Sequence, residues 1–151
     1  MTTLIRLNNI GKRFLTEEIE THALNGINLE INQGEFVSLS GQSGCGKSTL
    51  LSLLGLLDVP SAGEYYLGEQ DVSSLSRNQR AEIRSQQIGF VFQSFQLLPS
   101  LTALENVMLP IELKGDVAAR EKARGLLERV GLSERWHHYP NQLSGGEQQR
   151  V

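Results

Sequence analysis

The sequence predicts an α/β fold, and three features carry that expectation. Strand-like alternation fills the first forty residues, a strand, a glycine-rich loop and a helix follow one another over 36–57, and helical spacing takes over from about residue 94. Leu29 and Ile31 alternate with Asn28, Glu30 and Asn32, as in a strand with one buried face. Asn32-Gln33-Gly34 is a turn. Residues 36–40 (FVSLS) read as a buried strand running straight into Gly41. Residues 47–57 have the length and leucine content of a buried helix, ended by the turn chemistry of DVPSAG at 58–63. Residues 64–67 and 69–72 flank Gly68 as a short hairpin. Arg77, Arg80 and Arg84 recur at helical spacing and read as a solvated helix face. IGFVF at 88–92 reads as another buried strand. Residues 102–113 form one helix and 116–130 a second, capped by Gly131, with Ala123, Leu126, Leu127 and Val130 as its apolar stripe.

Composition limits the classes of function. At 151 residues the chain has the size of one domain, and 39% hydrophobic residues are enough for a packed core. Fourteen basic residues against 17 acidic ones give a net charge of −3, so no basic face for nucleic acid is expected. A single cysteine, Cys45, excludes an intrachain disulfide framework and suits a reducing compartment. The N-terminus, MTTLIRLNNIGKRF, has no apolar core and reads as no secretory signal. The longest nearly apolar stretch, 50–57, is far short of the roughly 20 residues a membrane helix needs. The expectation is a soluble protein that reaches a membrane only through a partner.

Gly41-Gln42-Ser43-Gly44-Cys45-Gly46-Lys47-Ser48 fits the pattern G-x-x-x-x-G-K-[ST], with a predicted strand before it and a helix after it. Glycines let such a loop fold so that successive backbone N–H groups converge on one anion. The helix that follows offers the same phosphates its positive end. Lys47 adds a full charge within reach of β- and γ-phosphates, and the Ser48 hydroxyl is a ligand for Mg²⁺. A second motif, Leu143-Ser144-Gly145-Gly146-Glu147-Gln148-Gln149-Arg150, has Ser144 as a candidate N-cap and two glycines at a helix start. That is a second anion site of the same type, and two in one chain point to a shared nucleotide.

LSGGEQQR resembles the signature motif of ATP-binding cassette ATPases, and GQSGCGKST resembles their Walker A loop. IGFVFQSFQLLPSLTALENVMLP is similar to the macrolide-exporter and lipoprotein-releasing branch, and the resemblance covers essentially the whole chain. It implies a phosphate-loop NTPase fold with an antiparallel β subdomain and a helical subdomain. Residues 1–93 would hold the β subdomain and the phosphate-loop part of the core, and 94–151 the helical subdomain and the signature.

The resemblance further implies ATP and Mg²⁺ as cofactors and a head-to-tail homodimer or pseudo-dimer. Gly41, Ser43, Gly44, Cys45, Gly46, Lys47, Ser48 and Thr49 would bind one nucleotide, and Ser144, Gly145 and Gly146 would reach the γ-phosphate bound by the partner subunit. Gln93 falls at the family's Q-loop glutamine and would ligate Mg²⁺ or position the attacking water. Lys47 and Gln93 are thus the candidate catalytic residues, and Ser48 and Gln93 the candidate metal ligands. Phe14 lies where the family has an adenine-stacking aromatic, more often tyrosine. Phe95, Leu97, Leu98 and Leu101 surround Pro99 in the region that meets the membrane permease subunit in the family. The implied location is the cytoplasmic face of the cell membrane. His137 and His138 lack ligand spacing, and Trp136 reads as packing.

In the family the Walker B aspartate, the catalytic glutamate, the D-loop and the switch histidine follow the signature, and no apolar run ending in Asp-Glu occurs here. The chain therefore reads as part of a longer ATPase, with the C-terminal part of the core missing, sheet edge and apolar surface exposed, and no turnover by itself. The leading function is the ATPase subunit of an exporter or of a lipoprotein- or peptide-releasing transporter. The alternative is a nucleotide-dependent regulatory module of a membrane complex, of the division-complex type. Chromosome-maintenance relatives carry a coiled coil between the motifs and excision-repair relatives carry zinc cysteines. Neither feature occurs here. Ribosome-associated relatives carry two cassettes, which this length leaves open.

Overall fold

The alternating apolar residues of the N-terminal third need a partner for each face and edge, and they find it in a hairpin. In the computed structural model, which describes residues 2–15 and 20–151, β1 (Thr3–Leu15) and β2 (Glu20–Asn32) run antiparallel, with Leu7 opposite Leu29 and Ile10 opposite Ile27. The other edge of β1 takes β3 (Ala62–Leu67), and β4 (Gln70–Asp71) folds back on β3 as the expected hairpin about Gly68, giving the order β2-β1-β3-β4. β1 bulges between Asn8 and Gly11 where Gly63 crosses it. A Cβ at Gly63 would lie 2.4 Å from the Asn9 carbonyl oxygen, and its φ of 86° also requires glycine.

One face of this sheet is covered by α1 (Lys47–Leu54), whose Leu50 and Leu53 join Leu7, Ile10, Leu24 and Tyr65 in the first core. Truncating a fully buried leucine such as Leu53 to alanine costs about 2–5 kcal/mol. The buried Tyr65 donates its hydroxyl to the carbonyl of Leu54 at 2.9 Å, tying sheet to helix end. α1 stops short of residue 57 because Leu56 turns to φ 54°. The Leu56 carbonyl accepts Arg84 Nη1 at 2.8 Å and Arg80 Nη1 at 3.5 Å. The arginine row on α2 (Arg77–Gln87) is therefore not simply a solvated face. Arg77 is exposed, whereas Arg80 and Arg84 are half-buried and bind the end of α1.

The expected strands at 36–40 and 88–92 are not strands. Neither joins the four-stranded sheet, and Phe36 and Val91 are 98% and 90% exposed. Their composition fits burial on both faces, but a strand is held by its ladder, and among the described residues no ladder includes them. Leu39 and Ile88 pack against the first core.

The described residues divide into two compact units, Met1–Phe90 and Val91–Val151. The second is built from α3 (Ala103–Glu112), α4 (Ala119–Arg129), a single 3-10 turn at Pro140–Gln142 and α5 (Gly145–Arg150). Leu104, Ala123, Leu127 and Leu132 form its core, with Trp136 packed against them. Half of the expected stripe on α4 is inward: Ala123 and Leu127 are buried, Leu126 and Val130 exposed. The N–H groups of Ala103 and Leu104 donate to the carbonyls of His138 and Trp136 at 2.8 and 2.9 Å, so the segment before the signature caps α3.

Candidate functional site

The phosphate loop is shaped by its glycines and closed by its lysine. Gly44 and Gly46 take φ 82° and 91°, which other residues adopt only with strain. At Gly46 a Cβ would also lie 2.6 Å from the Ala23 carbonyl oxygen, so β2 permits only glycine there. Lys47 Nζ donates to the carbonyls of Gly41 at 2.8 Å and Gln42 at 2.6 Å, with Cys45 Sγ at 3.5 Å. This curls the loop around the ammonium. Gly46 is the N-cap of α1 and no side chain caps that helix, whereas α2, α3 and α5 each begin with a capping box. An uncapped helix start on a bare glycine loop, with a lysine in its mouth, suits a polyphosphate.

Ser43, Cys45 and Ser48 are exposed and Thr49 is half-buried in the first turn of α1. The Ser48 hydroxyl follows directly on Lys47 as an exposed hard oxygen donor, a type that fits magnesium. Phe14 lies near the end of β1, opposite Thr21, and is 44% exposed. The same β2 segment carries Ala23, which presses on Gly46, so one hairpin end serves both the loop and the aromatic. Gln93 lies in the second unit, in an exposed bend.

Ser144 is the N-cap of α5, as the sequence predicts, in a full capping box with Glu147. The Glu147 carboxylate also takes Arg135 Nε at 3.2 Å. Hydrogen bonds from the Ser144 N–H and then its hydroxyl hold that carboxyl below the ordinary range, Arg135 assisting. Gly145 and Gly146 have no crowding to explain them: a Cβ at Gly145 would meet only Phe95 at 3.8 Å, and one at Gly146 nothing within 4 Å. Glycine costs a helix about 1 kcal/mol relative to alanine, and here the pair leaves the backbone bare at the start of α5. Phe95 and Leu98 are part-exposed beside this helix start and in the loop before α3. The rings of His137 and His138 lie 4.4 Å apart and are tilted by 46°.

Reasoning from sequence missed two residues. Lys12 is buried on β1, where its ammonium meets Asp58 at 2.7 Å, and Asp58 was readable only as part of a turn. The available signal was a lysine among the inward positions of β1. Asn106 was also missed. Its amide takes hold of the carbonyls of Leu98 and Leu101 at 3.2 and 3.0 Å and fixes the loop before α3.

The family profile described as ABC transporter matches residues 24–151. The chain is 47% identical to the lipoprotein-releasing system ATP-binding protein LolD of Saccharophagus degradans, over 99% of its own length and 67% of that protein. It is 49% identical to the macrolide export ATP-binding/permease protein MacB of Syntrophobacter fumaroxidans, over 98% of its length and 21% of that protein. Among solved structures, a dimeric post-hydrolysis state of an ATP-binding cassette bound to ADP and Pi superposes with a TM-score of 0.86 at 44% identity, over 97% of this chain and 66% of that one. The chain thus spans about two thirds of the length of its single-cassette relatives and about a fifth of the permease-fused one. By profile, sequence and fold, it belongs to the ABC transporter ATPase family, as a homologue of the MacB and LolD ATP-binding subunits.

Proposed function

We propose that this chain supplies the nucleotide-binding face of an ATPase that hydrolyses Mg-ATP in a head-to-tail dimer. The dimer would drive a membrane permease in export or lipoprotein release from the cytoplasmic face of the membrane. The observation that carries the reading is the pair of helix starts: one uncapped behind a lysine-closed glycine loop, the other carrying two glycines that no crowding among the described residues requires. In this reading residues 1–93 form the β subdomain and phosphate-loop part, and 94–151 the helical subdomain with the signature.

The backbone from Gly41 to Thr49 wraps the phosphates, and Lys47 exchanges the loop carbonyls for β- and γ-phosphate oxygens. The Ser48 hydroxyl and the Gln93 side-chain oxygen would hold magnesium, which when bound would neutralise charge on the phosphates. Gln93 also orients the attacking water, and Phe14 stacks on the adenine. Ser144, Gly145 and Gly146 close over the γ-phosphate held by the partner subunit. Hydrolysis belongs to the whole protein, and residues 1–151 alone bind without turnover. The test is calorimetric titration of the full chain with Mg-ATP. Lys47→Ala weakens binding by about 1.5–3 kcal/mol, the scale of a charged hydrogen bond. Equal affinity in variant and parent overturns the reading.

A further inference from the structure

Lys12 is a charged side chain where β1 turns inward, only 8% exposed. Its ammonium has three donors to satisfy. One goes to Asp58 Oδ1 at 2.7 Å and one to the carbonyl of Val59 at 2.9 Å. The ammonium also stands 5.1 Å from the centroid of the Phe14 ring, within range of a cation–π contact. Asp58 is fixed in turn, since Oδ1 also accepts the N–H of Val59 at 2.8 Å. Burial works to raise the Asp58 carboxyl, and the bonds from Lys12 and Val59 outweigh it, so the group stays below the ordinary carboxylate range and charged. The N–H of Asp58 bonds to the carbonyl of Ser52 in α1, the helix that starts at the phosphate loop.

The chain of contacts therefore runs from α1 through Asp58 and Lys12 to the Phe14 ring. A ring at the end of a strand, 44% exposed, would otherwise be free to change rotamer. We propose that Lys12 is a positioning residue of the nucleotide site, its Asp58-anchored ammonium holding the Phe14 ring in place so that the remaining exposed ring surface receives the base of the nucleotide. The proposal rests on the reading of Phe14 as the base platform. It adds that the platform is locked to the helix that binds the phosphates. Lys12 acts through the Phe14 ring and not on the nucleotide itself.

The experiment is calorimetric titration of the full chain with two probes, Mg-ATP and Mg-tripolyphosphate, the second lacking a base. Lys12→Met weakens ATP binding by roughly fivefold, the scale of one cation–π contact, and leaves tripolyphosphate binding within about twofold. Lys12→Arg, which keeps the charge and the carboxylate pair, recovers most of the loss. With Phe14→Ala already in place, Lys12→Met adds no further loss for ATP. If Lys12→Met folds poorly, as judged by circular dichroism, the Lys12→Met/Asp58→Asn pair removes the stranded carboxylate and carries the same expectation. Phe14→Ala weakening ATP while Lys12→Met does not would overturn the role of Lys12. Equal losses for both probes would overturn it as well, because they assign Lys12 to the general fold. If Phe14→Ala leaves ATP binding unchanged, the base-platform reading itself fails, and this proposal with it.

Discussion

The carboxylate of Glu147 accepts two hydrogen bonds from Ser144, from its N–H at 2.8 Å and from its hydroxyl at 2.7 Å. The N–H of Glu147 returns to the Ser144 oxygen at 3.3 Å. The serine hydroxyl proposed to meet a phosphate is therefore already committed as a donor within its own helix. To reach an incoming phosphate it must turn from one anion to another, with Arg135 left holding the first. Ser144→Ala then loses both the contact and the cap, the cap being about 1 kcal/mol of local stability.

The assignment of Ser144 to the partner's nucleotide is tested by mixing chains. A heterodimer of Lys47→Ala with Ser144→Arg chains retains one intact composite site, and is expected to retain one Mg-ATP per dimer in a filter-binding measurement on the full-length protein. Heterodimers that demonstrably form and hold no nucleotide would sink the cross-subunit assignment.

Cys45 is exposed inside the phosphate loop, with the Lys47 ammonium 3.5 Å from its sulfur. Maleimide should label it readily in the nucleotide-free protein, and saturating Mg-ATP should slow the labelling by blocking access. Cys45→Ser should keep nucleotide binding, since the loop uses its backbone. Intact-mass spectrometry over time reads the rate, and a rate indifferent to ATP places the thiol outside the site.

Two capping boxes predict acid lability. Glu105 accepts the N–H of Thr102 at 2.7 Å and its hydroxyl at 2.8 Å. These bonds, the backbone one foremost, hold its carboxyl below the ordinary value. A carboxyl depressed by folding stabilises the native state above its unfolded pKa, and the contribution is lost as pH falls through the folded one. Glu105→Gln keeps the box, as Gln79 does in α2, and removes the titration. Urea unfolding should therefore show a smaller loss of stability between about pH 6 and pH 3 in the variant than in the parent. Parallel losses would detach Glu105 from the acid limb.

Tyr65 governs the alkaline side. Burial pushes its hydroxyl up to about 12 from an ordinary 10. The folded state then holds the proton more tightly than the unfolded chain, so stability is full below pH 10 and falls as pH rises toward 12. The loss approaches about 2–3 kcal/mol. Tyr65→Phe is less stable at neutral pH by about 1–3 kcal/mol, because the Leu54 carbonyl loses its donor. It should lack this alkaline decline. Denaturant midpoints for both proteins across that range decide it.

Local pattern sufficed where a segment's structure is settled by itself or its neighbour in sequence. The β3–β4 hairpin, the start of α1 behind Gly46 and the cap at Ser144 are of this kind. It failed where structure depends on distant partners. FVSLS and IGFVF have strand composition, but ladder formation needs an adjacent edge that composition cannot report. The arginines of α2 looked solvated because the carbonyl they seek, Leu56, becomes available only through a left-handed turn. Lys12 went unread for a similar reason. Its partners lie 46 and 47 residues away, and strand periodicity assigns a lysine to solvent by default.

The carbonyls of Trp136 and His138 cap α3, and Asn106 grips Leu98 and Leu101 from the same helix. The loop at 98–101 and the segment that leads to Ser144 are both hydrogen-bonded to the first turn of α3. Opening of this one turn therefore releases both segments together.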